Sequence, residues 1–176
     1  MSVVFERRSV RNFLNKPVEP EKIERILRAG FEAPSAHNRR PWEFIVITDT
    51  AGREAVAAMS PYAGMAAGAA AVIAACANLK AGAAANPEDT WWVQDLSAAT
   101  ENILLQITGE GLGGVWLGWY PDQGRVKAFS ETFGLPPHII PFSVTALGYP
   151  AGPVKRADRF DPSRVFYGRY GENQPG

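Results

Sequence analysis

The sequence predicts an α+β fold, on three observations. Helical and strand patterns mix without a strict βαβ rhythm. The first strong strand, near Trp42, follows a helix. The glycines Gly109, Gly111, Gly113 and Gly114 fall between a helix and a strand. A dinucleotide fingerprint needs its glycines after a strand and before a helix. This cluster therefore reads as a helix end and a tight turn, which argues against a Rossmann sheet.

The elements follow in order. A short helix opens the chain and is expected to end near Ser9. Pro20-Glu21 starts a clear helix, with Ile23, Ile26, Leu27 and Phe31 at helical spacing. It stops by Ala33, because Pro34 disfavours a helical predecessor. The stretch from Pro34 to Pro41 has no periodicity and reads as a loop. Trp42 to Thr48 is apolar and β-branched, as in a buried strand. Asp49 to Met59 reads as a helix and Ala70 to Ala77 as a second strand. Residues 80–90, rich in Ala, Gly and Pro, read as a mobile loop. Asp95 starts the next helix, with Leu96, Ala99, Ile103, Leu104 and Ile107 on one face and Gly111 suited to its C-terminal cap. A strand over Gly113–Leu117, a helix over Asp122–Phe133 closed by Gly134, and a strand over Ile140–Leu147 complete the pattern. The tail after Gly148 is polar and basic.

The chain has 176 residues, 46% of them apolar and 20% charged, which fits one globular domain over 1–176 and excludes a disordered chain. Lys plus Arg and Asp plus Glu number 18 each, so bulk charge points to neither nucleic acid nor a membrane surface. The positive charge is nonetheless uneven: Arg7, Arg8 and Arg11 cluster at the start, and Lys155, Arg156, Arg159, Arg164 and Arg169 crowd the tail. The single cysteine, Cys76, lies in an apolar run and reads as a small core residue. His37 and His138 have no metal-ligand spacing, so no metal is expected. The first residues lack the apolar length of a signal peptide, and the run Ala66–Ala77 is too short to span a bilayer; a cytoplasmic location is expected.

No hydrolytic machinery stands out. Ser9, Ser35 and Ser97 lack a nucleophile-elbow context, and the pair Glu88-Asp89 falls in the Ala/Gly-rich loop. Chemistry borrowed from a cofactor fits such a chain, with no catalytic side chain assigned. Three segments point to an anionic, aromatic group. In Arg7-Arg8-Ser9-Val10-Arg11, arginines and a hydroxyl near a helix end can hold a phosphate by charge-assisted hydrogen bonds. In the loop Pro34–Trp42, two prolines stiffen a turn that offers Ser35 and Asn38. In Gly113–Gly118, glycines let backbone N–H groups approach a flat ring.

Together, ERRSVRNF near the start, APSAHNRRPWEFIVI after the first long helix, GLGGVWLG past the middle and TALGYPAG near the end resemble the FMN-dependent nitroreductases over nearly the whole chain. The resemblance implies a mainly antiparallel sheet flanked by helices, in an intertwined homodimer with FMN at the subunit interface. It implies that Arg7, Arg8 and Ser9 bind the phosphate and ribityl chain and that Arg11 sits beside the N1–O2 edge of the ring. Pro34, Ser35, Ala36 and Asn38 would come from the other subunit. Trp116, Leu117 and Gly118 would pack on the opposite side with a backbone N–H near N5. Arg159 and Arg156 would complete the phosphate site, with Arg164 a competitor.

The implied activity is two half-reactions: NADH or NADPH reduces the flavin, and an electron-poor small-molecule acceptor such as a nitroaromatic or quinone is then reduced. Dehalogenation, dehydrogenation, flavin fragmentation and a non-catalytic flavin sensor are the alternatives. Arg40 stands where the family often has Gln. Trp91, Trp92 and Gln94 are expected either to border the acceptor or to pack in the core.

Overall fold

The computed structural model describes residues 2–81, 90–155 and 158–172. Five α-helices, α1 (Val3–Glu6), α2 (Pro20–Phe31), α3 (Thr50–Ala58), α4 (Trp91–Gly109) and α5 (Gln123–Phe133), surround four strands, β1 (Trp42–Ile47), β2 (Ala71–Asn78), β3 (Gly113–Gly118) and β4 (Ile139–Gly148). The sheet order is β1-β2-β4-β3 and every neighbouring pair is antiparallel. The α+β expectation holds.

Local chemistry sets the helix ends. Pro20 occupies the first turn of α2, where its missing N–H costs nothing. Asp49 caps α3 by accepting from Gly52 N at 2.7 Å, and Asp122 caps α5 by accepting from Arg125 N at 3.1 Å. Gly111 follows α4 at φ 72° and Gly134 closes α5 at φ 67°, the left-handed conformation that glycine adopts without a Cβ clash.

The alternation of β2 divides the core between the two faces of the sheet. Val72, Ala74 and Cys76 pack with Val56 of α3 and Phe129 of α5. Ala71 and Ile73 pack with Ile26 of α2 and Ile103 and Ile107 of α4, while Ala75 and Ala77 meet Leu96 and Phe142. Burial pushes the Cys76 thiol up to about 12, so it stays a neutral core group, as its apolar setting predicts.

Three elements depart from the sequence expectation. The opening helix ends at Glu6, and Ser9 is already extended in a parallel bridge with Gly114. β1 is an edge strand buried at its two ends, Trp42 and Ile47, with Glu43 and Val46 exposed, instead of buried continuously. Helix α4 begins at Trp91, four residues before Asp95. Asp95 is buried inside the helix and accepts from Ala36 N at 2.8 Å, so its carboxylate holds a neighbouring loop instead of starting the helix. The loop expected over 80–90 falls largely on residues 82–89, outside the described residues, and so do Glu88 and Asp89.

The segment after α1 builds the site. Val10 N donates to Gly114 O at 3.0 Å on the outer edge of β3. Further on, Phe13 bridges to Pro150, Leu14 N donates to Tyr149 O and Ala151 N donates to Asn12 O. Residues 7–12 are thereby pinned between the sheet edge and the start of the basic tail.

Candidate functional site

The pinned segment and the tail enclose a cleft of about 470 Å³ lined by Arg7, Arg8, Ser9, Val10, Arg11, Asn12, Gly152, Pro153, Val154, Lys155 and Arg159. Five cationic side chains and no carboxylate line it, the chemistry of a phosphate site. Arg7 enters it in a fixed orientation, because its Nε lies 3.2 Å from Glu101 Oε1 on α4. A Cβ added at Gly152 would meet nothing within 4 Å, so the floor is open space.

A second cleft of about 580 Å³ shares Arg11 with the first. Its lining includes the turn from Ser60 to Met65, Trp116 to Trp119, and Arg125. Along β3, Gly114 O accepts from Val10 N and Gly118 O accepts from Arg125 Nη1 at 3.0 Å. With the two-residue alternation of a strand, the backbone groups of Gly114, Trp116 and Gly118 thus point away from β4, toward the outer edge. Leu117 turns its side chain into the core, while Trp116 packs at 6.0 Å on Phe142. A Cβ at Gly118 would also meet nothing within 4 Å.

A cationic cleft that shares one arginine with a cleft beside an open strand edge fits FMN. The polar, cationic end matches the phosphate and ribityl chain, and the end with aromatic and backbone groups matches the ring. The predicted residues Arg7, Arg8, Ser9, Arg11 and Arg159 come together on one side, and Trp116, Leu117 and Gly118 on the adjoining side. Arg156 lies outside the described residues, and Arg164 does not line the cleft.

Pro34, Ser35, Ala36 and Asn38 line neither cleft of this chain. Their loop leads into β1, at the sheet edge opposite β3. It is strained: His37, Asn38 and Arg40 have φ of 54°, 55° and 49°. Such residues cost about 1–3 kcal/mol each and concentrate at functional sites. Ser35 Oγ accepts from Arg40 N at 2.9 Å, and Asp95 fixes Ala36. Trp92 packs in the core against Tyr120, with ring centroids 4.8 Å apart, whereas Trp91 is exposed. Ser60, Tyr62, Lys155 and Arg125 are lining residues for which no role follows from the sequence motifs.

Among the described residues there is no cluster of His, Cys, Asp and Glu suited to a metal, and no helix is long and apolar enough to cross a membrane. The nitroreductase family model matches residues 4–61 and 58–149. An Archaeoglobus fulgidus protein, provisionally named NADH dehydrogenase/NAD(P)H nitroreductase, is 42% identical over 94% of this chain and 95% of its own length. A Clostridium acetobutylicum structure, provisionally named NADH oxidase, superposes with TM-score 0.90 at 41% identity, covering 96% of this chain and all of the other. A Desulfovibrio desulfuricans protein provisionally named nitroreductase, solved in complex with FMN, superposes with TM-score 0.80 at 26% identity over 96% of this chain and 95% of the other. By sequence, by fold and by the two joined clefts, the chain belongs to the nitroreductase family.

Proposed function

We propose that this chain is an FMN-dependent oxidoreductase that takes reducing equivalents from NADH or NADPH and passes them to an electron-poor acceptor, such as a nitroaromatic or quinone. The observation that carries the reading is Arg11 at the junction of a cationic cleft and a cleft along an open strand edge. When bound, FMN supplies the hydride chemistry, accepting from NAD(P)H and donating to the acceptor.

The chain's own residues bind and orient. Arg7, Arg8, Ser9 and Arg159 hold the phosphate, with Lys155 adding charge at the same wall. Glu101, tied to Arg7 Nε, orients that guanidinium so that its remaining N–H groups face the cleft. The outward backbone groups of Trp116 and Gly118 offer hydrogen bonds to a ring edge, and Trp116 is steadied by Phe142. Arg11 sets a positive charge beside the ring's pyrimidine edge. The strained loop Pro34–Asn38 of a second copy closes the site from the other side, which makes the homodimer the working unit.

The test is the absorbance spectrum of the purified protein, followed by chromatography of the heat-released flavin and anaerobic titration with NADH and NADPH. The expected result is stoichiometric FMN that bleaches on titration and recovers with a quinone. Stoichiometric FAD, or a colourless protein that takes up no FMN, overturns the reading.

A further inference from the structure

One wall of the second cleft holds groups that the cofactor reading does not use. Tyr62, on the turn after α3, lies on this wall and is 72% exposed, so its ring is open to a ligand in the cleft. Beside it, Arg125 is fixed at four points. Its N–H donates to Asp122 Oδ1 at 3.1 Å, and its carbonyl accepts from Trp119 Nε1 at 2.9 Å. Its Nε lies 3.3 Å from Asp122 Oδ2, and its Nη1 donates to Gly118 O at 3.0 Å. Among the described residues, Nη2 makes no hydrogen bond. The guanidinium carbon lies 5.9 Å from the centre of the Tyr62 ring.

This arginine also stands in the first turn of α5, where a cation opposes the helix dipole. Asp122 offsets that charge from outside the cleft lining; the lining itself carries Arg11 and Arg125 and no carboxylate. A pre-set planar donor next to an exposed aromatic ring recognises a flat ring bearing a carboxylate: the ring stacks and the carboxylate accepts a charge-assisted hydrogen bond.

We propose that Tyr62 and Arg125 select the acceptor, and that the cleft takes planar aromatic acceptors carrying a carboxylate, with the ring on Tyr62 and the carboxylate on Arg125 Nη2. This rests on the reading of the second cleft as the flavin-ring site. The experiment uses the FMN-loaded protein, NADH or NADPH, and two acceptors: 4-nitrobenzoate and its neutral methyl ester.

The ratio of kcat/KM for the acid over the ester should fall about tenfold in Arg125→Gln, the loss of one charge-assisted hydrogen bond. The change should lie in KM, and Arg125→Lys should recover part of it. Tyr62→Ala should raise KM several-fold for both compounds, and Tyr62→Phe should restore it. Binding of 4-nitrobenzoate to the oxidised holoprotein, followed by the flavin spectrum, should weaken in parallel. If Arg125→Gln does not fold because Gly118 loses its partner, Arg125→Lys carries the same acid-to-ester comparison, and Tyr62→Ala tests the ring contact through KM for both compounds. An unchanged acid-to-ester ratio in the Arg125 variants overturns the proposal, as does an unchanged KM in Tyr62→Ala, or weakened FMN retention in the variants, which would assign both residues to the cofactor. Absence of FMN or of turnover with either acceptor in the unmodified protein instead overturns the flavin reading beneath it.

Discussion

A guanidinium that lines two clefts has a different job from one that lines a single cleft. Arg7 faces only the cationic cleft and is anchored by Glu101, so Arg7→Met should chiefly weaken FMN binding. Arg11 also borders the ring cleft. Reduction places negative charge on the pyrimidine edge of a flavin, so a cation there favours the reduced form. Arg11→Met should therefore lower the two-electron midpoint potential by about 30 mV, the equivalent of a tenfold change in relative affinity for the two states. Redox titration of the holoprotein checks this; a variant with bound FMN and an unmoved potential would make Arg11 a surface charge. The clustering of these arginines in one cleft was legible in the sequence because Arg7 to Arg11 are contiguous, and a contiguous cationic motif needs no tertiary structure to be seen. Tyr62 and Arg125 were not, because the fold alone brings them together. The one available signal was a cation in the first turn of a helix, where the dipole disfavours it.

Among the elements, β3 and the segment 7–12 act as one unit, and Gly113 is where they touch most closely. A Cβ there would stand 2.6 Å from both Val10 Cβ and Val10 Cγ2. Neither atom is a flexible tip, so Gly113→Ala must push Val10, and with it the arginines that line the cationic cleft, off the strand. Overpacking of this kind costs about 1–3 kcal/mol, and a chain of this size loses roughly 2–4 °C of Tm per kcal/mol. Calorimetry should show that loss together with weaker FMN retention; an unaltered FMN affinity would separate the segment from the strand.

A second contact joins α2 to the end of α4. Arg25 donates from Nε and Nη2 to the two Glu110 oxygens, both at 2.8 Å, and Gln106 donates to the same carboxylate. Arg25 holds the Glu110 carboxyl down at about 2, against an ordinary value of 4.5. A depressed folded-state value means that the stabilisation is complete above about pH 4.5 and is lost as the pH falls toward 2. Glu110→Gln should therefore melt below the unmodified protein at pH 7 and approach it near pH 2; a constant gap in Tm would deny the contact its charge dependence. Sequence periodicity located both helices, but the start of α4 was misplaced because Asp95 looks like a helix-starting residue and is instead a buried acceptor for Ala36. β1 looked like a central strand because its composition is apolar, although an edge strand packed on both faces, with Trp42 and Phe44 on one and Ile45 and Ile47 on the other, needs apolar residues as well.

At the scale of the molecule, several large apolar side chains stand uncovered. Among the described residues these include Val4 and Phe5 on α1, and Phe160, Tyr167 and Tyr170 on the tail, the last 92% exposed. Composition could not reveal this, since a tail rich in arginine and tyrosine reads equally as a solvated end or as an arm that wraps a partner. Two further features point to the arm: Arg159 on the tail lines the cationic cleft, and the strained Pro34–Asn38 loop is braced by Asp95 yet touches neither cleft of its own chain. A second copy whose loop meets this chain's flavin, and whose surface covers α1 and the tail, accounts for all of them. Interfaces of this core-like kind bury more than about 2,000 Å², and folding is then linked to association. Light scattering of the holoprotein should return twice the mass of one chain, and Tm should rise with protein concentration. Removing residues 158–176 should lose both dimer and FMN together. A truncated chain that stays dimeric and yellow would show that the tail is dispensable, and a full-length monomer that holds FMN and turns over would place the whole site within one chain.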